Sequence, residues 1–101
     1  MQLQSLLVSA LAATASAYRI SVYSADNYQG TQRSWTTAGT HSVGFTVKSW
    51  IWESSIADDC CIAFCKGSTN VGRYCGSARK STSSAGVNKV VTGCGSAVLN
   101  C

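Results

Sequence analysis

Alternation of polar and apolar residues is the main pattern in this chain, and it begins abruptly at Tyr18. In the segment Arg19-Ile20-Ser21-Val22-Tyr23 the two kinds of side chain alternate, as in a strand with one buried face. Similar reasoning predicts further strands at 32–35, 47–52, 61–64, 73–75, 87–92 and 97–99. Residues 54–59 could form one helical turn, and no segment has a convincing helical period. Short strands at regular spacing predict an all-β sandwich or barrel.

Turn-forming residues separate these predicted strands. Asp26 and Asn27 mark a turn, Gly30 a tight bend, and Gly39 a break after the second strand. The longest such segment is Gly76–Ala85, which is polar and rich in serine. We expect it to be an exposed, mobile loop.

The first 17 residues have the pattern of a signal peptide. An apolar run from Leu6 to Ala13 precedes the small residues Ala15-Ser16-Ala17, which form a cleavage site of the small-x-small type. The run is shorter than a membrane span, and no second one follows, so we expect no transmembrane segment. The alternatives are an N-terminal helix of the fold and a retained membrane anchor. The sequence therefore predicts a secreted, extracellular protein whose mature chain is 18–101.

Composition limits the class of protein. The chain has 101 residues, of which 46% are hydrophobic and 12% charged, with a formal net charge of +4. It is too short for a two-lobed enzyme and too apolar to be disordered. The moderate positive charge favours anionic surfaces. Because no arginine-rich run or interleaved aromatic stripe is present, we expect no nucleic-acid partner.

Cysteine usage agrees with secretion. An even count of six behind a signal peptide predicts three disulfides. Zinc is the rival interpretation, but no Cys-x2-Cys pair recurs and the chain has one His. Adjacent Cys60 and Cys61 should reach different partners, because a bridge between neighbours strains the peptide. Spacing does not choose among the pairings of Cys60, Cys61, Cys65, Cys75, Cys94 and Cys101.

The chain also repeats itself weakly at a spacing of 42 residues. This spacing superposes Ile20 on Ile62, Gly30 on Gly72, Thr40 on Thr82, Ser42 on Ser84, and Gly44 on Gly86. It predicts one domain built from two similar motifs, at about 18–58 and 59–101.

The segment 20–30 resembles the first Greek-key motif of the βγ-crystallins. That motif has an aromatic residue, then a glycine after six intervening positions, and a second aromatic just before the glycine. Tyr23, Gly30 and Tyr28 match it, and Ser49 matches the serine that folds against the hairpin. The resemblance implies a sandwich of two Greek-key motifs, stabilised here by disulfides. An unrelated cystine-stabilised β domain is the alternative.

The second motif departs from the family pattern. Gly72 stands where the glycine is expected, but Cys65 and Asn70 replace the aromatic residues. Thr92 is the nearest hydroxyl to the expected serine. Calcium-binding family members carry Asn or Asp and a Ser or Thr where this chain has Gly44, Phe45 and Lys48. We therefore expect no metal site.

Candidate catalytic chemistry is sparse. His41 is the only His and stands in the polar segment Thr40-His41-Ser42, which predicts an exposed loop residue. The four acidic residues form no recognisable motif. We expect no enzyme activity and no cofactor. Trp50 and Trp52 lie on one face of a strand, and the resemblance places them in the core with Ile51 outward.

The candidate binding residues are basic. Arg73, Arg79 and Lys80 lie beside or within the polar segment Gly76–Ala85, and would suit an anionic cell wall, a membrane or an extracellular protein. The resemblance implies a toxin-like or antimicrobial protein, as among the yeast killer toxins, and a secreted fungal effector would look the same from sequence. A secreted protease inhibitor presenting Gly76–Ala85, with Arg79 or Lys80 as primary residue, is the alternative, beside a structural surface protein. Target and oligomeric state stay open.

Overall fold

Between residues 18 and 101, eight strands and one short 3₁₀ helix account for the regular structure. The structure, a computed structural model, describes residues 18–101, so the predicted signal peptide lies outside the described residues. The strands are β1 Tyr18–Ala25, β2 Gln29–Trp35, β3 Gly39–Ser42, β4 Ser49–Ser54, β5 Cys60–Lys66, β6 Thr69–Tyr74, β7 Ala78–Lys80 and β8 Lys89–Cys94, with the 3₁₀ turn at Ile56–Asp58. The all-β prediction is confirmed. Within 18–101 no helix is long and apolar enough to cross a bilayer.

The strands form two antiparallel four-stranded sheets. The first has the order β2-β1-β4-β7 and the second the order β3-β8-β5-β6. Each sheet therefore takes three strands from one half of the chain and the third strand of the other half. This exchange makes both halves necessary to complete each sheet.

The core lies between the two sheets. The inward side chains of the first sheet alternate along β1 and β4, and those of the second alternate along β5 and β8. Trp50 and Trp52 are buried on the same face of β4, as we expected, while Ile51 is half-buried on the outer face. The central cluster includes Ile20, Val22, Trp50, Trp52, Ile62, Phe64 and Val90.

All three disulfides start from β5. Their pairings are Cys60–Cys94, Cys61–Cys75 and Cys65–Cys101. The predictions of three disulfides, and of different partners for the adjacent Cys60 and Cys61, are confirmed. Because every cysteine lies in the second half, packing and hydrogen bonds hold the first half without covalent help.

The C-terminal segment covers the outer face of the second sheet. Leu99 is buried against Ala63 and Val91, and Cys101 is tied to Cys65. A Cβ at Gly93 would stand 2.9 Å from the Cβ of Ala97, so the segment passes closely over β8. The predicted strand at 97–99 is wrong, because these residues pack on the face of a sheet and have no edge to pair with.

Two observed strands were not expected. β3 lies just after the predicted break, and β7 lies inside the segment Gly76–Ala85 that we expected to be a loop. Both are short edge strands whose side chains are largely exposed, so neither has an apolar alternation. Their pairing with β8 and β4 comes from main-chain hydrogen bonds.

Candidate functional site

The β1–β2 hairpin brings the first-motif residues together. Gly30 has φ +83°, a conformation that favours glycine. Tyr23 and Tyr28 pack edge to face with 5.7 Å between ring centroids. The hydroxyl of Ser49 donates to the Ala25 carbonyl at 2.7 Å and accepts from the Tyr28 N–H at 2.9 Å. Ser49 thus ties β4 to the turn of the hairpin.

The β5–β6 hairpin is held differently from our expectation. Gly72 lies within β6 opposite Phe64 and does not have positive φ, and the turn glycine is Gly67 instead. Asn88 accepts a hydrogen bond from the Gly67 N–H at 3.0 Å. Thr92 donates to the Thr37 carbonyl at 3.0 Å, far from this turn.

A difference in length explains these departures. Tyr23 pairs with Ser49, and Cys65, which corresponds to Tyr23 at the 42-residue spacing, pairs with Lys89. The second half is therefore two residues shorter between its first and last strands. A single spacing aligns β1 with β5 but cannot align β4 with β8. That is why Thr92 is not the counterpart of Ser49.

The structure does not bring the three predicted binding residues together. Arg79 and Lys80 are consecutive in β7, so their side chains lie on opposite faces. Arg79 is opposite Ile51 on the outer face, and its guanidinium lies 5.7 Å from the centre of the Tyr28 ring. Lys80 is opposite Trp50 on the inner side. Arg73 is exposed on β6, in the other sheet.

A cluster that the sequence did not reveal lies at one end of the two sheets. Lys48 precedes β4, Lys80 ends β7, Lys66 ends β5 and Lys89 begins β8. Main-chain hydrogen bonds from Val47 to Val87 and from Ser83 to Lys48 bring these strand ends together. We call this end, with Lys48, Lys66, Lys80 and Lys89, the lysine end; it contains every lysine of the chain.

The acidic residues lie mainly at the opposite end. Glu53 is near the end of β4, and Asp58 and Asp59 occupy the connection to β5. Asp26, in the β1–β2 turn, is the one acid at the lysine end. The molecule therefore has an electrostatic polarity along its strands. Each lysine is distant in sequence from the next, so no charge run signalled the cluster.

Two of the cationic side chains bind main-chain oxygens. Arg33 donates to the Val43 carbonyl at 2.8 Å and lies 5.1 Å from the centre of the Trp35 ring. Lys89 donates to the main-chain oxygen of Cys101 at 2.6 Å. Lys48, Lys66 and Lys80 are exposed. Their charges are available to an external partner.

His41 is not the exposed loop residue that we expected. It is half-buried in β3, its ring stacks on Trp35 at 5.1 Å, and its Nε2 lies 2.8 Å from the Thr37 carbonyl oxygen. These contacts give the imidazole a packing role at the sheet edge. Among residues 18–101, no three His, Cys, Asp or Glu side chains are grouped so as to hold a metal ion.

Comparison with protein-family models, with curated proteins and with solved structures finds no match to this chain.

Proposed function

We propose that this protein is a secreted βγ-crystallin-like domain of two Greek-key motifs that binds an anionic cell surface through its lysine end. We place it with the small toxin-like, antimicrobial or effector-like binding proteins rather than with enzymes. In support of the fold assignment, the fourth strand of each half lies beside the first, as in a Greek key. The disulfides fit an oxidising, extracellular setting.

The segregation of charge carries the functional proposal. A lysine near an anionic surface contributes about 1 kcal/mol of attraction. Lys48, Lys66 and Lys80 are exposed at one end, whereas three of the four acids lie at the other. A uniform distribution of the same net charge would attract weakly in any orientation. The observed polarity orients the molecule with its lysine end towards the surface.

The pairing of β7 also bears on the inhibitor alternative. Inhibitors that occupy a protease cleft present an exposed, protruding loop, whereas Arg79 and Lys80 are hydrogen-bonded into the first sheet through β4. This placement disfavours a protruding inhibitory loop and favours surface binding through Lys80 and the rest of the lysine end. The structural-protein alternative shares the surface binding and differs in having no effect on the target cell.

Two charge-matched triple variants test the proposal. The first, Lys48→Gln/Lys66→Gln/Lys80→Gln, removes the exposed lysines of the lysine end. The second, Arg19→Gln/Arg73→Gln/Arg79→Gln, removes the same charge from elsewhere on the surface. Adsorption is measured on neutral and phosphatidylserine vesicles and on isolated yeast cell walls, over a range of salt concentrations.

We expect the lysine variant to lose about 100-fold in affinity for an anionic surface, at about 1 kcal/mol per residue, and to lose most of its salt dependence. The arginine variant should lose much less. Equal losses in the two variants would show that net charge acts without the lysine end. The vesicle and cell-wall arms identify the source of the negative charge, and growth assays on yeast and bacteria separate a toxin from a structural protein.

A further inference from the structure

A pocket of about 170 Å³ opens between β6 of one sheet and β7 of the other. Three aromatic rings line it: the Trp50 and Phe64 centroids are 4.4 Å apart, and Tyr74 lies 5.0 Å from Trp50. Val87 closes its base and is buried. Tyr74 is 38% exposed, so the aromatic wall reaches the surface.

The volume fits one ring. An engineered apolar cavity of about 150 Å³ in another protein stays dry and binds benzene. The pocket described here is of similar size, but it opens to solvent and its accessible lining is only slightly more apolar than polar. Trp50 and Phe64 are buried and expose only their edges to the pocket. Offset or edge-to-face packing on the exposed Tyr74 ring favours a planar aromatic guest over a saturated one.

The rim of the pocket is polar and positive. Lys80, on the inner side of β7, and the buried Ser83 border the opening, and none of the lining residues is acidic. A cage of aromatic rings alone would suit a quaternary ammonium. The ammonium of Lys80 opposes a cation and favours a carboxylate.

Gly72 lies inside β6 and lines the pocket. It has no positive φ that would require glycine. The Phe64 and Tyr74 side chains cover it, since a Cβ here would meet them at 3.6–3.9 Å, which is ordinary contact. A larger side chain at this position would therefore crowd the pocket without straining the backbone.

We infer that this pocket binds a small aromatic carboxylate, with its ring on Tyr74 and over the edges of Trp50 and Phe64, and its carboxylate at Lys80. This site goes beyond the proposed surface binding and does not depend on it. A single-ring acid of about ten non-hydrogen atoms should bind with a dissociation constant of about 1 mM or tighter.

The experiment titrates the mature protein with phenylacetate and follows backbone amide shifts by NMR. Parallel titrations use 2-phenylethanol, cyclohexylacetate and benzyltrimethylammonium. We expect shifts centred on β6, β7 and residues 83–87, with phenylacetate binding more tightly than all three comparison compounds. No saturable shift in this region at 20 mM phenylacetate (roughly twentyfold above the expected constant) would overturn the inference, and so would stronger binding of the ammonium compound.

Variants locate the site. Gly72→Val fills the pocket without removing a ring, and should abolish binding. Lys80→Gln should weaken phenylacetate by about two- to fivefold, as for an exposed ion pair, and leave 2-phenylethanol unchanged. Arg79→Gln, the neighbour on the opposite face, and Lys66→Gln, which lies at the lysine end but outside the pocket lining, should bind like the parent. Parent-like binding by a folded Gly72→Val would overturn the inference.

A charge reversal covers the case in which Gly72→Val does not fold. Lys80 is exposed, so Lys80→Glu should fold normally. It should lose phenylacetate binding and gain binding of benzylamine at the same amides. If Lys80→Glu keeps the parent's preference for the acid, the carboxylate does not lie at Lys80 and the assignment fails.

Discussion

The hydroxyl of Ser49 and the main-chain N–H of Tyr28 are joined by a 2.9 Å hydrogen bond across 21 positions of the chain. The same hydroxyl donates to the Ala25 carbonyl at 2.7 Å, so one buried side chain satisfies two main-chain groups of a single turn. In the second half the Asn88 side chain accepts a hydrogen bond from the Gly67 N–H across the same 21 positions. The first hairpin of each half is thus stabilised by a different side chain, a serine hydroxyl in one and an asparagine amide in the other.

Replacement of Ser49 should destabilise the fold. Ser49→Ala leaves the Tyr28 N–H and the Ala25 carbonyl unpaired, at a cost of about 1–3 kcal/mol in the free energy of unfolding. Asn88→Ala, whose bond is exposed, should cost less than about 1 kcal/mol. Urea denaturation of the secreted protein measures both, with the exposed Ser68→Ala as a neutral control. A Ser49→Ala variant as stable as the parent would contradict the tethering role.

The two turn glycines offer a matched comparison. Both Gly30 and Gly67 have positive φ, but an added Cβ meets Ser24 Oγ and Ala25 at Gly30 and nothing within 4 Å at Gly67. Gly67→Ala should cost about 1 kcal/mol for backbone strain alone. Gly30→Ala should cost distinctly more, because the clash is added to the strain. Equal denaturation midpoints for the two variants would show that Ser24 and Ala25 yield freely.

The disulfide to Cys101 should stabilise the protein more than the one that joins β5 to Cys75, just after β6. Cys65–Cys101 closes a separation of 36 residues and Cys61–Cys75 one of 14. Loop-closure entropy predicts a difference of about 1 kcal/mol, and release of Leu99 would add to it. Unfolding of Cys65→Ala/Cys101→Ala and of Cys61→Ala/Cys75→Ala tests this order. The reverse order would mean that the C-terminal segment stays docked without its disulfide.

Single replacements in β7 should show that the adjacent residues Arg79 and Lys80 have different roles, one in stability and the other in adsorption. Arg79→Ser removes the cation over the Tyr28 ring and should cost about 0.5–1 kcal/mol of stability, with little effect on adsorption to anionic vesicles. Lys80→Ser removes a charge of the lysine end and should weaken adsorption about fivefold, with little effect on stability. Vesicle co-sedimentation and thermal unfolding of both variants measure the two effects. If both variants weaken adsorption equally, Arg79 and Lys80 contribute to binding alike, and the lysine end has no special role.

Half-buried strands were predictable from the sequence because a buried face requires apolar residues at regular positions. β1, β4, β5 and β8 each place side chains in the core, so their apolar residues alternate or run together. β3 and β7 lie at sheet edges with exposed side chains. Main-chain hydrogen bonds stabilise these two strands. Because such bonds do not depend on side-chain type, they produce no recognisable pattern in the sequence.

The sequence by itself determined the all-β class, the shared strand face of Trp50 and Trp52 and the presence of three disulfides, because strand alternation and cysteine count can be read without knowing which strands become neighbours. Only the tertiary structure decided the cysteine partners, the separation of Arg79 from Lys80 and the gathering of the lysines. Each depends on which strand ends become neighbours when the halves exchange their third strands. The two-residue difference in length between the halves, which moves Asn88 and not Thr92 to the second hairpin, likewise emerges only from the pairing register.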